Sequence, residues 1–142
     1  MAFFLGIVIL LLGLICWVGQ GLVFIAPETA QNLGLCEPRA EMDEAFYIIE
    51  VESLGLADLL LTWTFPLAGL LMILDNPGWP ILALVAGGIY LYMSAAIILR
   101  RVYLIRHGKK VGSPSAVRTA YIFGALWIIT SVAMILLAVG EL

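Results

Sequence analysis

Charged side chains are scarce in this chain of 142 residues, making up 12% of the sequence against 63% hydrophobic residues. Soluble domains are only about 45 to 50% apolar. The mean hydropathy of +1.11 points the same way. The composition therefore excludes an ordinary soluble domain and indicates an integral membrane protein.

Histidine and cysteine are also scarce, with one histidine and two cysteines. His107 alone cannot supply both axial ligands of a bis-histidine haem. Cys16 and Cys36 form no Cys-x-x-Cys motif for disulfide exchange or structural zinc. The chain also has no glycine-rich phosphate loop and no Ser-His-Asp set able to reach a common site. We therefore predict no catalytic residues, no metal site and no cofactor.

Four hydrophobic runs make up most of the chain, each at or above the roughly 20 residues that a membrane-spanning helix needs. We expect helices over residues 2–26, 45–74, 80–104 and 116–139. The connections are too short for a soluble domain. The predicted fold is all-α, an up-down-up-down four-helix membrane bundle formed by residues 1–142 as one domain.

The basic residues predict the orientation of the bundle. Six of the seven lie in or beside the third connection: Arg100, Arg101, Arg106, Lys109, Lys110 and Arg118. By the positive-inside rule this connection is cytoplasmic, as is the first one, and both termini lie on the opposite side. We expect a bacterial inner membrane, with anionic lipid headgroups at Arg100, Arg106, Lys109 and Lys110 and no nucleic-acid partner.

The first connection is acidic, because the segment from Pro27 to Glu44 contains five Asp and Glu residues and only one basic residue, Arg39. We expect it to fold over the basic third connection. A binding site for a basic partner is the alternative.

Two short segments around the end of the first helix carry a family resemblance. Residues 21–27, GLVFIAP, and residues 32–35, NLGL, are followed by an acidic start of the second helix at Glu50 to Gly55. This pattern resembles small four-helix membrane proteins of the DoxX-like group, although the arginine and the Tyr-Gly-Gly cluster common at that start are missing here. The resemblance implies a small accessory membrane subunit, as found with some oxidoreductases.

Small and polar residues form one inward stripe on each helix at helical spacing. The stripes are Gly6, Gly13 and Gln20; Val51, Gly55, Asp58, Thr62, Phe65 and Gly69; Ala83, Gly87, Tyr90, Ser94, Ile97 and Arg101; and Ala120, Gly124, Trp127, Ser131, Met134 and Ala138. In the second helix, Pro66 removes a backbone hydrogen bond to Thr62, which can kink the helix and free a carbonyl.

Asp58 is the only acid deep in a hydrophobic run, roughly 18 Å below the membrane boundary at 1.5 Å per helical residue. An aspartate at that depth costs about 2.5 to 3.5 kcal/mol and needs a partner. We expect a neutral Asp58 that stabilises a helix interface. Proton or cation handling, or an amine ligand, is the alternative, with Thr62, Tyr90 and Ser94 beside Asp58.

A second polar group lies at the predicted cytoplasmic rim. We expect ion pairs of Glu50 and Glu52 with Arg101 and Arg118, because membrane acids and bases usually pair with one another. These residues could instead bind an anionic headgroup or metabolite.

Three hypotheses for function follow from this pattern. The first is a non-catalytic protein that acts as an accessory or oligomer-forming subunit. The second is a small proton- or cation-coupled carrier or channel that uses Asp58. The third is a lipid- or quinone-binding redox subunit, suggested by the tryptophans and Tyr90.

Overall fold

The computed structural model describes all 142 residues, and its regular structure is helical. The α-helices are α1 (Ala2–Ile25), α2 (Pro27–Asn32), α3 (Glu44–Tyr47), α4 (Leu54–Leu61), α5 (Thr64–Ile73), α6 (Trp79–Arg106) and α7 (Pro114–Gly140). A 3₁₀ turn at Arg39–Glu41 precedes α3, and a π-helical segment at Ile48–Ser53 joins α3 to α4.

Four helical spans are long and apolar enough to cross a membrane: span 1 (Ala2–Ile25), span 2 (Glu44–Ile73), span 3 (Trp79–Arg106) and span 4 (Pro114–Gly140). Their bounds lie within two residues of those expected from the sequence. The chain is thus an all-helical bundle compatible with an integral membrane protein.

Span 2 is not the single regular helix that the sequence predicts. It starts at the cap residue Asp43, whose Oδ1 accepts a hydrogen bond from the Ala45 amide at 3.2 Å. It then passes through the π-helical segment and breaks at Thr62 and Trp63 before α5 begins. Pro66 lies in the first turn of α5, so the break falls where the Thr62 carbonyl lacks the amide donor four residues on and accepts instead from the Phe65 amide at 3.2 Å.

The predicted inward stripes are confirmed, since most of their residues are buried and none is exposed. Glycine allows close contact between spans 1 and 2. A Cβ atom on Gly13 would lie 2.6 Å from Pro66 Cδ, and one on Gly6 would lie 2.9 Å from the Gly69 carbonyl oxygen. The small residues of span 1 are therefore used within the bundle.

Two separate apolar cores fill the bundle. The larger contains twelve buried residues from all four spans, among them Ile9, Phe65, Tyr90 and Met134. The smaller consists of Met42, Phe46 and Val111, at the end where the first and third connections meet. The space between the two cores is less densely filled.

A short antiparallel bridge between Met42 and Val111 joins the first connection to the third. The Asp43 amide donates to the Lys110 carbonyl at 2.8 Å, and the Gly112 amide donates to the Glu41 carbonyl at 3.2 Å. Gly112 has a φ of 101°, which favours glycine. The acidic connection thus contacts the basic one, as the charge pattern predicts.

Candidate ligand-binding cavity

A cavity of about 260 Å³ lies between the two cores. All four spans contribute to its lining, and so does the first connection. Span 1 contributes Cys16 and Gln20 to the lining, and span 4 contributes Phe123 and Trp127. This volume is just below the roughly 300 to 1,000 Å³ of drug-sized sites, so it suits a small ligand.

The outer part of the cavity contains three charged residues, Glu37, Glu50 and Arg101. Glu37 accepts a hydrogen bond from the Ser113 hydroxyl at 2.8 Å. Ser113 caps span 4, because its Oγ accepts a hydrogen bond from the Ala116 amide at 3.3 Å. Both carboxylates of this outer part therefore have partners within the protein.

Glu50 is shared by two neighbouring arginines of span 3. Its Oε1 accepts a hydrogen bond from Arg101 Nη1 at 2.6 Å. Its Oε2 lies 2.7 Å from Arg100 Nη1, a charge contact without hydrogen-bond alignment. The side chains of Glu50, Arg101 and Arg100 are 13%, 14% and 25% exposed, so this cluster is largely removed from solvent.

Asp58 lies deeper in the same cavity and has no partner. It forms no ion pair, and its carboxylate takes part in no hydrogen bond. Its side chain is partly buried and contributes to the lining beside Gln20 and Trp127. Asp58 is therefore the one carboxylate of the cavity that is free to accept a ligand.

Trp127 contributes an aromatic ring to the cavity wall, together with a hydrogen-bond donor that suits an acceptor rather than a cation. Its indole Nε1 is buried and has no acceptor. The ring lies next to Phe123, with centroids 5.5 Å apart, and Phe123 also lines the cavity. The negative faces of aromatic rings attract organic cations, so this wall adds to the preference that Asp58 creates.

The formal charges in the lining favour a cation. With every carboxyl group ionised, Glu37, Glu50 and Asp58 contribute three negative charges, and Arg101 contributes one positive charge. Even with Glu50 and Arg101 compensating each other, two carboxylates remain. No cluster of three or more His, Cys, Asp or Glu side chains is placed to hold a metal ion. The arrangement suits a monovalent organic cation, held by one carboxylate and by aromatic faces.

An aromatic stack lies next to Trp127 of the cavity lining. Phe65 and Tyr90 have ring centroids 3.9 Å apart at 17°, and both residues are fully buried. The Tyr90 hydroxyl donates at 3.0 Å to the Thr62 carbonyl, the group that Pro66 was predicted to free. Tyr90 also meets Trp127 edge to face. Both rings belong to the larger core, which therefore lies directly behind Trp127 of the cavity lining.

The four predicted ligand residues differ in whether they line the cavity. Of Asp58, Thr62, Tyr90 and Ser94, only Asp58 lines the cavity. The other three are fully buried. Thr62 and Ser94 have buried hydroxyl oxygens without a partner. We therefore place Tyr90 and Thr62 in the wall behind the cavity.

The predicted rim pairs form only in part. Glu50 pairs with Arg101, but Glu52 lies 3.5 Å from Arg39 of the first connection. Arg118 is exposed and forms no ion pair. The helix geometry explains the difference, because residues two positions apart point to different sides of a helix and cannot reach the same partner.

The first connection covers the outer end of the cavity. Lys109 Nζ donates to Asp43 Oδ2 at 3.0 Å. This hydrogen bond lowers the pKa of Asp43 below its usual value. Leu35, Cys36 and Met42 of the same connection line the cavity. The sequence indicated that the connections would meet, but it did not show that both of them contribute to the wall of a cavity.

Comparison of the chain with protein-family models, with curated proteins and with solved structures finds no match. The resemblance to the DoxX-like group therefore stays a prediction, and the geometry of the cavity carries the functional argument.

Proposed function

We propose that this protein is a small cation carrier of the membrane, and that it binds an alkylammonium ion at Asp58. The observation that carries the proposal is the free Asp58 carboxylate in a cavity whose other acids are already paired. An ammonium group beside Asp58 would supply the partner that a carboxylate at this depth requires.

The walls suit the rest of such a ligand. A short alkyl chain gains about 0.8 kcal/mol for each CH₂ group that leaves water, and Ile15, Val23 and Ile97 offer it an apolar lining. The ammonium group gains about 0.5 to 2 kcal/mol over the face of an aromatic ring. Phe123 and Trp127 can provide that face.

We further propose an up-down-up-down bundle in a bacterial inner membrane, with both termini outside and the first and third connections in the cytoplasm. Six of seven basic residues support this orientation. The cavity would then open toward the cytoplasmic half of the bilayer. Transport would require the Phe65–Tyr90 stack to separate, and the break in span 2 at Thr62 is the place where the backbone can bend.

The accessory-subunit and redox-subunit hypotheses stay predictions. The inward stripes of small residues, which favoured association with other chains, pack largely against neighbouring spans of the same bundle. Gly6 and Gly13 meet span 2, and Gly87 meets Ile135 of span 4. Native mass spectrometry from nanodiscs tests these hypotheses, because a stoichiometric foreign subunit or a bound cofactor would favour one of them over the carrier.

The proposal is tested by calorimetric titration of the protein in nanodiscs with three probes of one chain length: butylammonium, butanol and butyrate. We expect butylammonium to bind at least tenfold more tightly than butanol, about 1.4 kcal/mol, and butyrate not to bind. The Asp58→Asn variant should bind butylammonium no better than butanol.

Asp75→Asn is the matched control, because it removes the same charge in the turn between spans 2 and 3, away from the cavity. Asp75 has a φ of 49°, a region that asparagine also tolerates. The control should keep wild-type affinity. Unchanged binding of butylammonium by Asp58→Asn would refute the proposal.

A further inference from the structure

A second concave site lies on the outer surface between spans 2 and 3, independent of the cavity proposed above to bind a cation. Its volume is about 530 Å³. Its walls are mostly apolar and include Phe46, Ile49, Leu99 and Leu104. Arg100, Lys109 and Asp43 form its polar part. We call this site the lipid groove.

The depth of the lipid groove places Arg100 at the level of lipid phosphates. Span 3 starts at Trp79 and continues to Arg106. Arg100 follows Pro80 by twenty residues, about 30 Å of helix at 1.5 Å per residue. This length equals the thickness of the hydrocarbon core, so a helix that enters at Pro80 leaves it at Arg100.

Charge in the groove is not balanced by the protein. Glu50 is the only acid in contact with Arg100, and it already accepts a hydrogen bond from Arg101. These three residues carry one net positive charge. Lys109 pairs with Asp43, but its side chain is 52% exposed, so it can also reach an anion at the same level. An anionic group is therefore the complementary occupant.

We propose that the lipid groove binds one anionic phospholipid. Its phosphate diester would lie between Arg100 and Lys109, and an acyl chain would follow the apolar wall of Phe46, Ile49 and Leu99. Apolar walls below a cationic rim at the membrane boundary match the two parts of such a lipid.

The structure thereby separates the four bases expected at headgroups into two pairs. Arg100 and Lys109 line the groove, whereas Arg106 and Lys110 do not. Arg106 lies over the Tyr103 ring, 5.6 Å from its centroid, and both bases are exposed. Arg106 and Lys110 do not line the groove, so they should attract anionic lipid mainly by diffuse charge.

The test is native mass spectrometry of protein extracted from bilayers with equal amounts of phosphatidylglycerol and phosphatidylcholine of the same acyl chains. We expect the wild type to retain one phosphatidylglycerol at least fivefold more often than one phosphatidylcholine. The double variant Arg100→Gln with Lys109→Gln should retain both lipids about equally.

The control is Arg106→Gln with Lys110→Gln, which removes the same charge from the same end of the bundle but keeps every residue that lines the groove. It should keep the wild-type preference. If both double variants lose the preference for phosphatidylglycerol equally, diffuse charge attracts the lipid. If the wild type shows no preference for phosphatidylglycerol, no such site exists. Either result would overturn the proposal.

Because Arg100 also contacts Glu50, the groove variant could lose stability. The single variant Lys109→Gln reduces this problem, since Lys109 does not pair with Glu50 and its own pair with Asp43 is largely exposed. We expect it to lower the preference for phosphatidylglycerol at least twofold, with an unchanged circular dichroism spectrum. A folded Lys109→Gln protein with full preference would also contradict the proposal.

Discussion

Removing the negative charge of Glu50 should destabilise the bundle far more than the same change at Glu52. The two residues lie two positions apart in the same π-helical segment. Glu50 is 13% exposed and contacts two arginines, whereas Glu52 is 53% exposed and lies 3.5 Å from one arginine that is itself 51% exposed. The two variants make the same Glu→Gln change, so any difference in stability between them reports the effect of burial.

The magnitude follows from the charges left behind. Breaking a buried ion pair by removing one partner costs about 3 to 5 kcal/mol. Arg100 is partly exposed, and long side chains can move toward water, which reduces the cost. We expect Glu50→Gln to lower the free energy of unfolding by about 2 to 4 kcal/mol. Exposed pairs contribute about 0 to 1 kcal/mol, so Glu52→Gln should lower it by less than 1 kcal/mol.

The assay is unfolding in mixed micelles by increasing sodium dodecyl sulfate, followed by far-ultraviolet circular dichroism. Adding Arg101→Met to Glu50→Gln should recover part of the lost stability, because one guanidinium then remains unpaired instead of two. Equal losses for Glu50→Gln and Glu52→Gln would refute the reasoning, since burial would then make no difference.

Two further variants, Gly13→Ala and Tyr90→Phe, test the packing around the break in span 2, and Gly88→Ala is the control for the first of them. Gly13→Ala should cost about 1 to 3 kcal/mol, because the new methyl group would lie 2.6 Å from Pro66 Cδ. Gly88→Ala, which has open space around it, should cost nothing in the same unfolding assay. Tyr90→Phe should cost about 1 kcal/mol, because the Thr62 carbonyl loses a buried donor. A fully stable Tyr90→Phe would mean that this hydrogen bond contributes nothing to the wall behind the cavity.

The fold could be read from the sequence because hydrophobic length and small-residue spacing determine which segments can cross a bilayer and which faces pack. The inward positions of Gly13, Gly87 and Met134 follow directly from helical periodicity. The break at Thr62 was only partly predictable, since the effect of Pro66 depends on a partner such as Tyr90 from another span.

The cavity could not be predicted from the sequence. It depends on how the two apolar cores pack in three dimensions, which helical periodicity does not determine. Asp58 was identified from its depth alone, and the structure adds that it has no partner. Ser94, on the inward stripe of span 3, lies outside the cavity instead of beside Asp58. The partner of Glu52 was missed because Arg39 lies in a connection, whose path helical periodicity does not determine.

The most direct test of the account is carbon-13 nuclear magnetic resonance of protein in nanodiscs, labelled at the aspartate side-chain carboxyl carbons. The chain has three aspartates, Asp43, Asp58 and Asp75, so the Asp58 signal can be assigned from its absence in Asp58→Asn. On titration with butylammonium we expect a saturable shift of the Asp58 signal, while the Asp75 signal stays unchanged. An Asp58 signal that does not move, or that moves only as much as that of Asp75, would contradict a cation site at Asp58.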